Sequence, residues 1–291
     1  MDFRPWREAM EQALYGPGGF YSRERPAGHF RTSVTAGPLF ASAVRELAGR
    51  VDEALGRPDP FDVVDVGTGG GELLAMLPDV PARWRLVGVD RHDTLPLVTG
   101  LLFANEWLDN VPLDVTFDDR LVEVAADGTE RLGGPAPAEA LAWALQWWPD
   151  RRRVEVGLTR DRAWADAVGR VERGLAVAVD YGHVGPDVRT TLTGYRDGRE
   201  VPPVPDGSCD LTAHVAFASC AAGARLLRQS EALSLLGIAS VRPDRRMAVD
   251  DPRGYLALLA QAGAAAELLD PRGLGAFGWI VHPVGIEDPL P

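Results

Sequence analysis

No lysine occurs anywhere in the 291 residues, so all 30 basic side chains are arginines. That absence removes chemistry that needs a lysine amine, such as Schiff-base formation or the phosphate grip of a P-loop. Cysteine is almost as scarce. Cys209 and Cys220 are too few for a disulfide framework or a cysteine-based zinc site, and they read as reduced thiols. No apolar run reaches the roughly 18 residues needed to cross a bilayer. The opening Met1-Asp2-Phe3-Arg4-Pro5-Trp6 lacks the charged-then-apolar order of a signal peptide, and Glu8 and Glu11 argue against a transit peptide. A cytoplasmic chain is expected. Positive charge is also in deficit: 42 acids against 30 bases leave a net charge of −12, which disfavours nucleic acid and anionic membranes as partners. What remains is ordinary globular composition, 46% hydrophobic and 25% charged, enough for one large domain or two modest ones.

Periodicity predicts helices over Pro5–Leu14 and about Pro38–Leu55, the second with Leu39, Phe40, Val44, Leu47, Val51 and Leu55 on one face. The run Phe61–Val66 reads as a strand, followed by a glycine loop, Gly67–Gly71, and a helix, Glu72–Leu77. Strand, glycine loop and helix form the opening of a nucleotide-binding α/β unit. Further strands are expected at Trp84–Val89, Gly100–Ala104 and Leu175–Val179, each apolar on both faces as covered parallel strands must be. Each ends on polar residues: Asp90, then Asn105–Asn110, then Asp180–His183. An insertion at about 112–160 shows two antiparallel strands around Asp127-Gly128 and a helix over Glu139–Trp147. Beyond His183, helices are expected near Leu211–Ala222, Arg225–Leu236 and Pro252–Ala260, then a last antiparallel edge strand, Gly278–His282. The predicted fold is α/β: a doubly wound, mostly parallel sheet with that edge strand. Residues 1–60 would form an N-terminal helical cap and covering loop, and 61–291 the Rossmann-like domain.

The loop Asp65-Val66-Gly67-Thr68-Gly69-Gly70-Gly71 reads G-x-G-x-G, and Glu72 stands where a dinucleotide fingerprint needs its third glycine. A carboxylate at a helix start opposes a pyrophosphate but suits a sulfonium or an ammonium. Asp65 can accept from an ammonium, and Asp90 at the end of the next strand from ribose hydroxyls. S-adenosylmethionine fits these features better than NAD. A glycine-rich turn with structural acids is the plainer alternative.

Several unusual blocks recur in a fixed order: Tyr15–Tyr21, Gly28-His29-Phe30-Arg31-Thr32-Ser33, Asp65–Leu73, Ala104–Pro112, Asp180–His183, Thr191–Tyr195 and Asp210–Phe217. On these blocks the sequence resembles the MidA family, bacterial relatives of the mitochondrial complex I assembly-factor arginine methyltransferase, from Leu14 to about Phe217. The resemblance implies a class I methyltransferase fold using S-adenosylmethionine, with a substrate-covering insertion and a protein arginine as acceptor. It departs from the family pattern at His29, Thr68 and Gly70. The Asp90–Gly100 segment is also too short for the helix and strand that normally carry adenine-facing residues.

Methyl transfer from a sulfonium is an in-line displacement that needs mainly positioning and electrostatics. Glu106 and Asp109, three apart in an expected helical turn, would share a face and pair with an acceptor guanidinium; capping and solvent exposure are their bland roles. His183 would accept or relay a proton, with Tyr181 shaping the wall and His214 a weaker candidate behind an Asp210 N-cap. Phe30, Thr32, Ser33, Asp65, Gly67, Thr68, Gly69, Gly71, Asp90 and Asn105 form the expected cofactor set, and no metal is expected. Trp143, Trp147 and Trp148 read as insertion core, and Arg151-Arg152-Arg153 as a solvated run. Competing functions are a non-catalytic assembly factor that binds a partner protein, a small-molecule methyltransferase and, distantly, an NAD-dependent oxidoreductase. The acceptor's identity and the oligomeric state stay open.

Overall fold

The computed structural model describes residues 2–23, 32–149, 152–185 and 190–290. The chain weaves between two compact units. One comprises Met1–Phe30, Glu106–Asp166 and Asp180–Ala222; the other comprises Arg31–Asn105, Ala167–Val179 and Gly223–Pro291.

The second of these is built on a six-stranded sheet. Its strands are β1 (Phe61–Val66), β2 (Trp84–Val89), β3 (Val98–Asn105), β4 (Val171–Asp180), β5 (Arg225–Arg228) and β6 (Gly278–Val284), in the order β5-β6-β4-β3-β1-β2. The pairs β1/β2, β1/β3 and β3/β4 are parallel and β5/β6 is antiparallel, so the sheet is mixed. Every residue of β1 is buried, its Phe61, Val63, Val64 and Val66 as a strand covered on both faces requires. The one conspicuous polar residue near its start is tied down: Asp62 accepts from the Arg85 Nε at 2.7 Å and from the Thr99 amide at 3.1 Å. Gly100 and Gly174 face each other in register, with φ of 151° and 140°. A Cβ on Gly174 would lie 1.9 Å from the Gly100 carbonyl, so no side chain fits there. The helix Pro38–Ala54 buries Phe40, Val44, Leu47 and Val51 with Phe103, Leu101 and Trp279 in one core.

Two expectations change. The antiparallel edge strand is β5, inside the stretch read as helical from Arg225, whereas Gly278–Val284 lies one strand in from the edge. Four residues of Arg-Leu-Leu-Arg carry too little periodicity to separate a strand from a first helical turn. At the other edge, β2 has no outer neighbour, and Asp90–Leu97 joins it to β3 without helix or strand.

The unit containing the 112–160 insertion has a five-stranded antiparallel sheet from Arg4–Pro5, Asp114–Phe117, Arg120–Val124, Glu130–Pro135 and Arg153–Val156. The strands flanking Asp127-Gly128 pair as expected. The helix Trp6–Tyr15 follows Pro5, which stands just before the helix rather than in its first turn, and packs Trp6, Met10 and Leu14 against Val115, Val124 and Leu211. Trp143 and Trp148 stack at 5.3 Å within a second cluster. The stretch read as a helix from Leu211 is instead strand Asp210–Thr212, strand Val215–Ala216 and a short helix, Phe217–Cys220. Asp210 is therefore a buried strand residue and no N-cap. Its Oδ1 accepts from the Tyr21 hydroxyl (2.9 Å) and the Asn110 amide (3.1 Å). No helix among the described residues is long and apolar enough to cross a membrane.

Burial, helped by the charge of Asp109, pushes the Asp210 carboxyl up to about 8. Unfolded, the same group titrates near the usual ~3.9. Between these values the folded chain holds a proton that the unfolded chain has released, so stability falls as pH rises through that window and the full cost is present above it. Asp210→Asn keeps an acceptor oxygen and removes the titration. Its melting temperature should gain on wild type by several degrees between pH 5 and pH 8.5, each kcal/mol being worth roughly 2–4 °C in a chain of this size. Parallel curves would contradict the assignment.

Candidate functional site

In the sheet-containing unit, β1 and β2 end in register at Val66 and Val89. The amides of Gly67 (2.9 Å) and Thr68 (3.3 Å) both donate to the Val89 carbonyl, which fastens the glycine loop to the end of β2. Gly67, Gly69 and Gly71 have φ of 74°, 54° and 79°, a left-handed path that side-chain-bearing residues rarely follow. Nothing lies within 4 Å of where a Cβ would sit on Gly69 or Gly71, so the loop presents open backbone. Asp65, buried at the end of β1, accepts from the Thr68 hydroxyl at 2.9 Å. Burial pushes its carboxyl up to about 7, against the Thr68 bond and with help from Glu72 and Asp90. Asp90 is exposed, its amide donating to Asp93 and its Oδ1 accepting from the Arg91 amide. Asn105 closes β3, opposite Val179 on β4.

Three carboxyl groups thus surround a loop with exposed backbone. Such a donor set suits a cationic ligand and opposes a phosphate.

Two of the expected covering residues have local duties. Ser33 is fully buried, and its hydroxyl exchanges hydrogen bonds with Gln229, whose Oε1 also accepts from Trp279 Nε1 (3.2 Å). Thr32 trades bonds with Thr35 in the turn before the helix that starts at Pro38. Phe30 lies outside the described residues.

In the other unit the expected pairing of Glu106 and Asp109 on one helical face does not form. Glu106 has φ 51° and stands outside the short 3₁₀ turn Leu108–Asn110. The reason is Asp180. Its Oδ2 accepts the amides of Leu108 (2.9 Å) and Asp109 (3.2 Å), which pins the turn from below and sends the Asp109 side chain inward. Asp109 Oδ2 and the hydroxyls of Tyr181 and Thr212 stand within hydrogen-bond reach of one another, the two hydroxyl protons being shared among the three contacts. Burial raises the carboxyl of Asp109 and, more strongly, that of Asp180, which Asp109 and Glu106 push further. Glu106 is only half-buried.

Beneath this turn sits Arg160, 1% exposed. Its guanidinium donates to the carbonyls of Asp109, Val111 (3.1 Å), Ala213 (2.7 Å) and His214 (3.0 Å). A buried cation solvated by four backbone carbonyls fixes two chain segments at once. Sequence reasoning missed it, because one arginine in the helix Leu158–Val168, beside Asp161 and Arg162, looks like any surface arginine.

His183 pairs with Ala216 in a short parallel bridge, with Trp148 edge-on at 5.1 Å and His214 at 6.4 Å. Burial first, and then the His214 charge, push the His183 imidazole down to about 4; a bond with the Gly185 backbone acts the other way. His214 is lowered too, chiefly by burial. Both rings are neutral near pH 7. A base this weak accepts a hydrogen bond at neutral pH.

Residues 77–233 match a family described as "Putative S-adenosyl-L-methionine-dependent methyltransferase". The chain belongs to this family. Among solved structures it is similar to a COG1565 superfamily member from Burkholderia thailandensis bound to S-adenosyl-homocysteine, at 25% identity and TM-score 0.76, covering 99% of this chain and 89% of that one. A native structure of a COG1565 superfamily protein from the same organism, 24% identical with the same TM-score and coverage, shares the fold. No curated protein matches in sequence. The methyltransferase family description agrees with the cofactor expected from the glycine loop.

For this methyltransferase the Arg160 arrangement gives a sharp contrast. Arg160→Met strands four carbonyls and should cost about 3–5 kcal/mol, the range for breaking a buried ionic arrangement. Arg162→Met, which breaks only an exposed pair with Glu139 (2.7 Å), should cost under ~1 kcal/mol. Urea titrations of the two variants measure the difference, and equal small losses would contradict it.

Proposed function

We propose that this methyltransferase, as the MidA resemblance implies, carries the methyl group of S-adenosylmethionine to an arginine side chain of a protein, acting in the cytoplasm. The observation that carries the reading is the acid-lined glycine loop: Asp65, Glu72 and Asp90 around open backbone at Gly69 and Gly71. The relative from Burkholderia thailandensis bound to S-adenosyl-homocysteine supports the same cofactor.

When bound, the cofactor supplies an electrophilic methyl group on a sulfonium. Asp65, Gly67, Thr68, Gly69 and Gly71 would hold it, Asp90 accepting from its ribose hydroxyls and Asn105 serving its amino-acid end. Asp65 titrates near neutrality, so an ammonium beside it draws out its proton and gains a carboxylate partner.

Glu106 is the acceptor ligand in this reading. Its left-handed backbone is a conformation that glutamate adopts at a cost, of the kind that recurs at functional sites. Its carboxylate would pair with the guanidinium, localise charge on that group and aim one nitrogen at the methyl. Asp109, held by Tyr181 and Thr212, is a positioning residue for the turn. His183 accepts a hydrogen bond from the acceptor.

A second reading has one observation in its favour. The connection Asp90–Leu97 has no helix or strand, and β2 is left at the sheet edge where an adenine wall would be expected. A chain with a curtailed cofactor site could serve as an assembly factor that binds a partner protein without catalysis.

Incubation with methyl-labelled S-adenosylmethionine and a cell extract, followed by amino-acid analysis, separates these. Wild type should place label on arginine. Glu106→Gln should lose at least ~100-fold of that transfer, the scale of removing one charge-stabilising group, with S-adenosylhomocysteine affinity held. Label on another residue type would overturn the arginine reading. Equal transfer by both proteins would remove Glu106 from the site. Neither transfer nor binding of S-adenosylhomocysteine would favour the assembly factor.

A further inference from the structure

The helix Pro252–Leu269 breaks a rule that the rest of the chain obeys. Its second half buries Ala262, Ala265 and Leu268 in the unit that holds the six-stranded sheet. Its first half is exposed on nearly every side: of residues 252–261 only Gly254 and Tyr255 are even partly covered. Yet no charged residue occurs from Gly254 to Ala266. A helix that is apolar all round belongs in an interior.

Leu256, Leu258 and Leu259 are 63%, 42% and 40% exposed, and Val249 and Val241 just before them are 83% and 71% exposed. These five make up half of the large hydrophobic side chains exposed among the described residues. The start of the helix is nevertheless well made, with Pro252 in its first turn and the Asp251 side chain accepting the Gly254 amide at 3.0 Å. Poor helix formation therefore does not explain the exposure. Exposed apolar side chains gathered in one short stretch of chain mark an interaction surface.

We propose that this projecting half-helix, with Val241 and Val249, is the docking face for a second copy of the chain, forming a symmetric dimer. Charge selects this occupant. The chain carries −12, so two copies repel each other across most of their surfaces. Residues 241–261 do not share that excess: Arg242, Arg245, Arg246 and Arg253 stand against Asp244, Asp250 and Asp251. Two acidic chains meet there with little repulsion. Both signs are present in nearly equal number, so across a two-fold axis the arginines of one copy can face the aspartates of the other. A partner of one strong sign would meet repulsion in half of its contacts. An anionic bilayer would attract the patch by a single net charge and repel the rest of the chain. The apolar stretch is also too short to span a bilayer.

This inference is independent of the proposed reaction. Sedimentation velocity of the full-length protein over a wide concentration range should show a dimer. The doubly substituted Leu256→Glu/Leu259→Glu variant should weaken it ~100-fold or more, with unchanged circular dichroism because both side chains are exposed. A wild-type monomer at every concentration would overturn the proposal. So would a dimer that the double variant leaves intact. Flotation with phosphatidylglycerol vesicles supplies the remaining arm: leucine-dependent vesicle binding by a monomeric wild type would assign the face to a membrane surface instead.

Discussion

Asp180 accepts two backbone amides from a turn 71 and 72 residues earlier in the chain, and much of the candidate chemistry follows from that contact. The contact sets where the chain turns after Asn105, and it leaves Glu106 outside the 3₁₀ turn while Asp109 points inward. Asp109 then anchors Tyr181 and Thr212, and Arg160 closes the arrangement by binding the carbonyls on both sides. Two buried carboxyls and one buried guanidinium would be costly in isolation. Here each has hydrogen-bond partners, and the raised carboxyls of Asp109 and Asp180 show that desolvation still outweighs those partners. What the arrangement gains is a fixed backbone from which Glu106 projects.

The glycine loop obeys a separate constraint. Its left-handed glycines and its two bonds to Val89 leave open backbone beside carboxyls and no basic group in the loop itself. That electrostatic character separates a sulfonium cofactor from a dinucleotide, whose pyrophosphate needs unopposed amides. The Asp65 carboxyl, near 7, is the most responsive group there, because a cationic ligand beside it would shift its proton.

Much of this was legible in the sequence. The strands Phe61–Val66 and Trp84–Val89, the glycine loop, the helix from Pro38 and the hairpin at Asp127-Gly128 all carry local signals, either strict patterning or turn chemistry, and they stand where expected. Signals that depend on distant partners were not legible. Arg225–Arg228 becomes a strand only because Gly278–Val284 is available to pair with it. Leu211 onward looks helical by composition, yet Asp210 is held by Tyr21 and Asn110 from far earlier in the chain. Glu106 and Asp109 have helical spacing, and only the amide bonds to Asp180 reveal that the turn is too short to align them. Arg160 has no local signature at all, since its partners are carbonyls 49 to 54 residues away.

The central claim is that the acid-lined loop takes a cationic methyl-donor cofactor, and titration calorimetry tests it without a known acceptor. S-adenosylmethionine and S-adenosylhomocysteine should bind in the micromolar range, about −8 kcal/mol, with the heat for S-adenosylmethionine near pH 7 varying with buffer as Asp65 gives up its proton. NAD should give no heat. Tight binding of NAD with no response to either adenosyl compound would contradict the account.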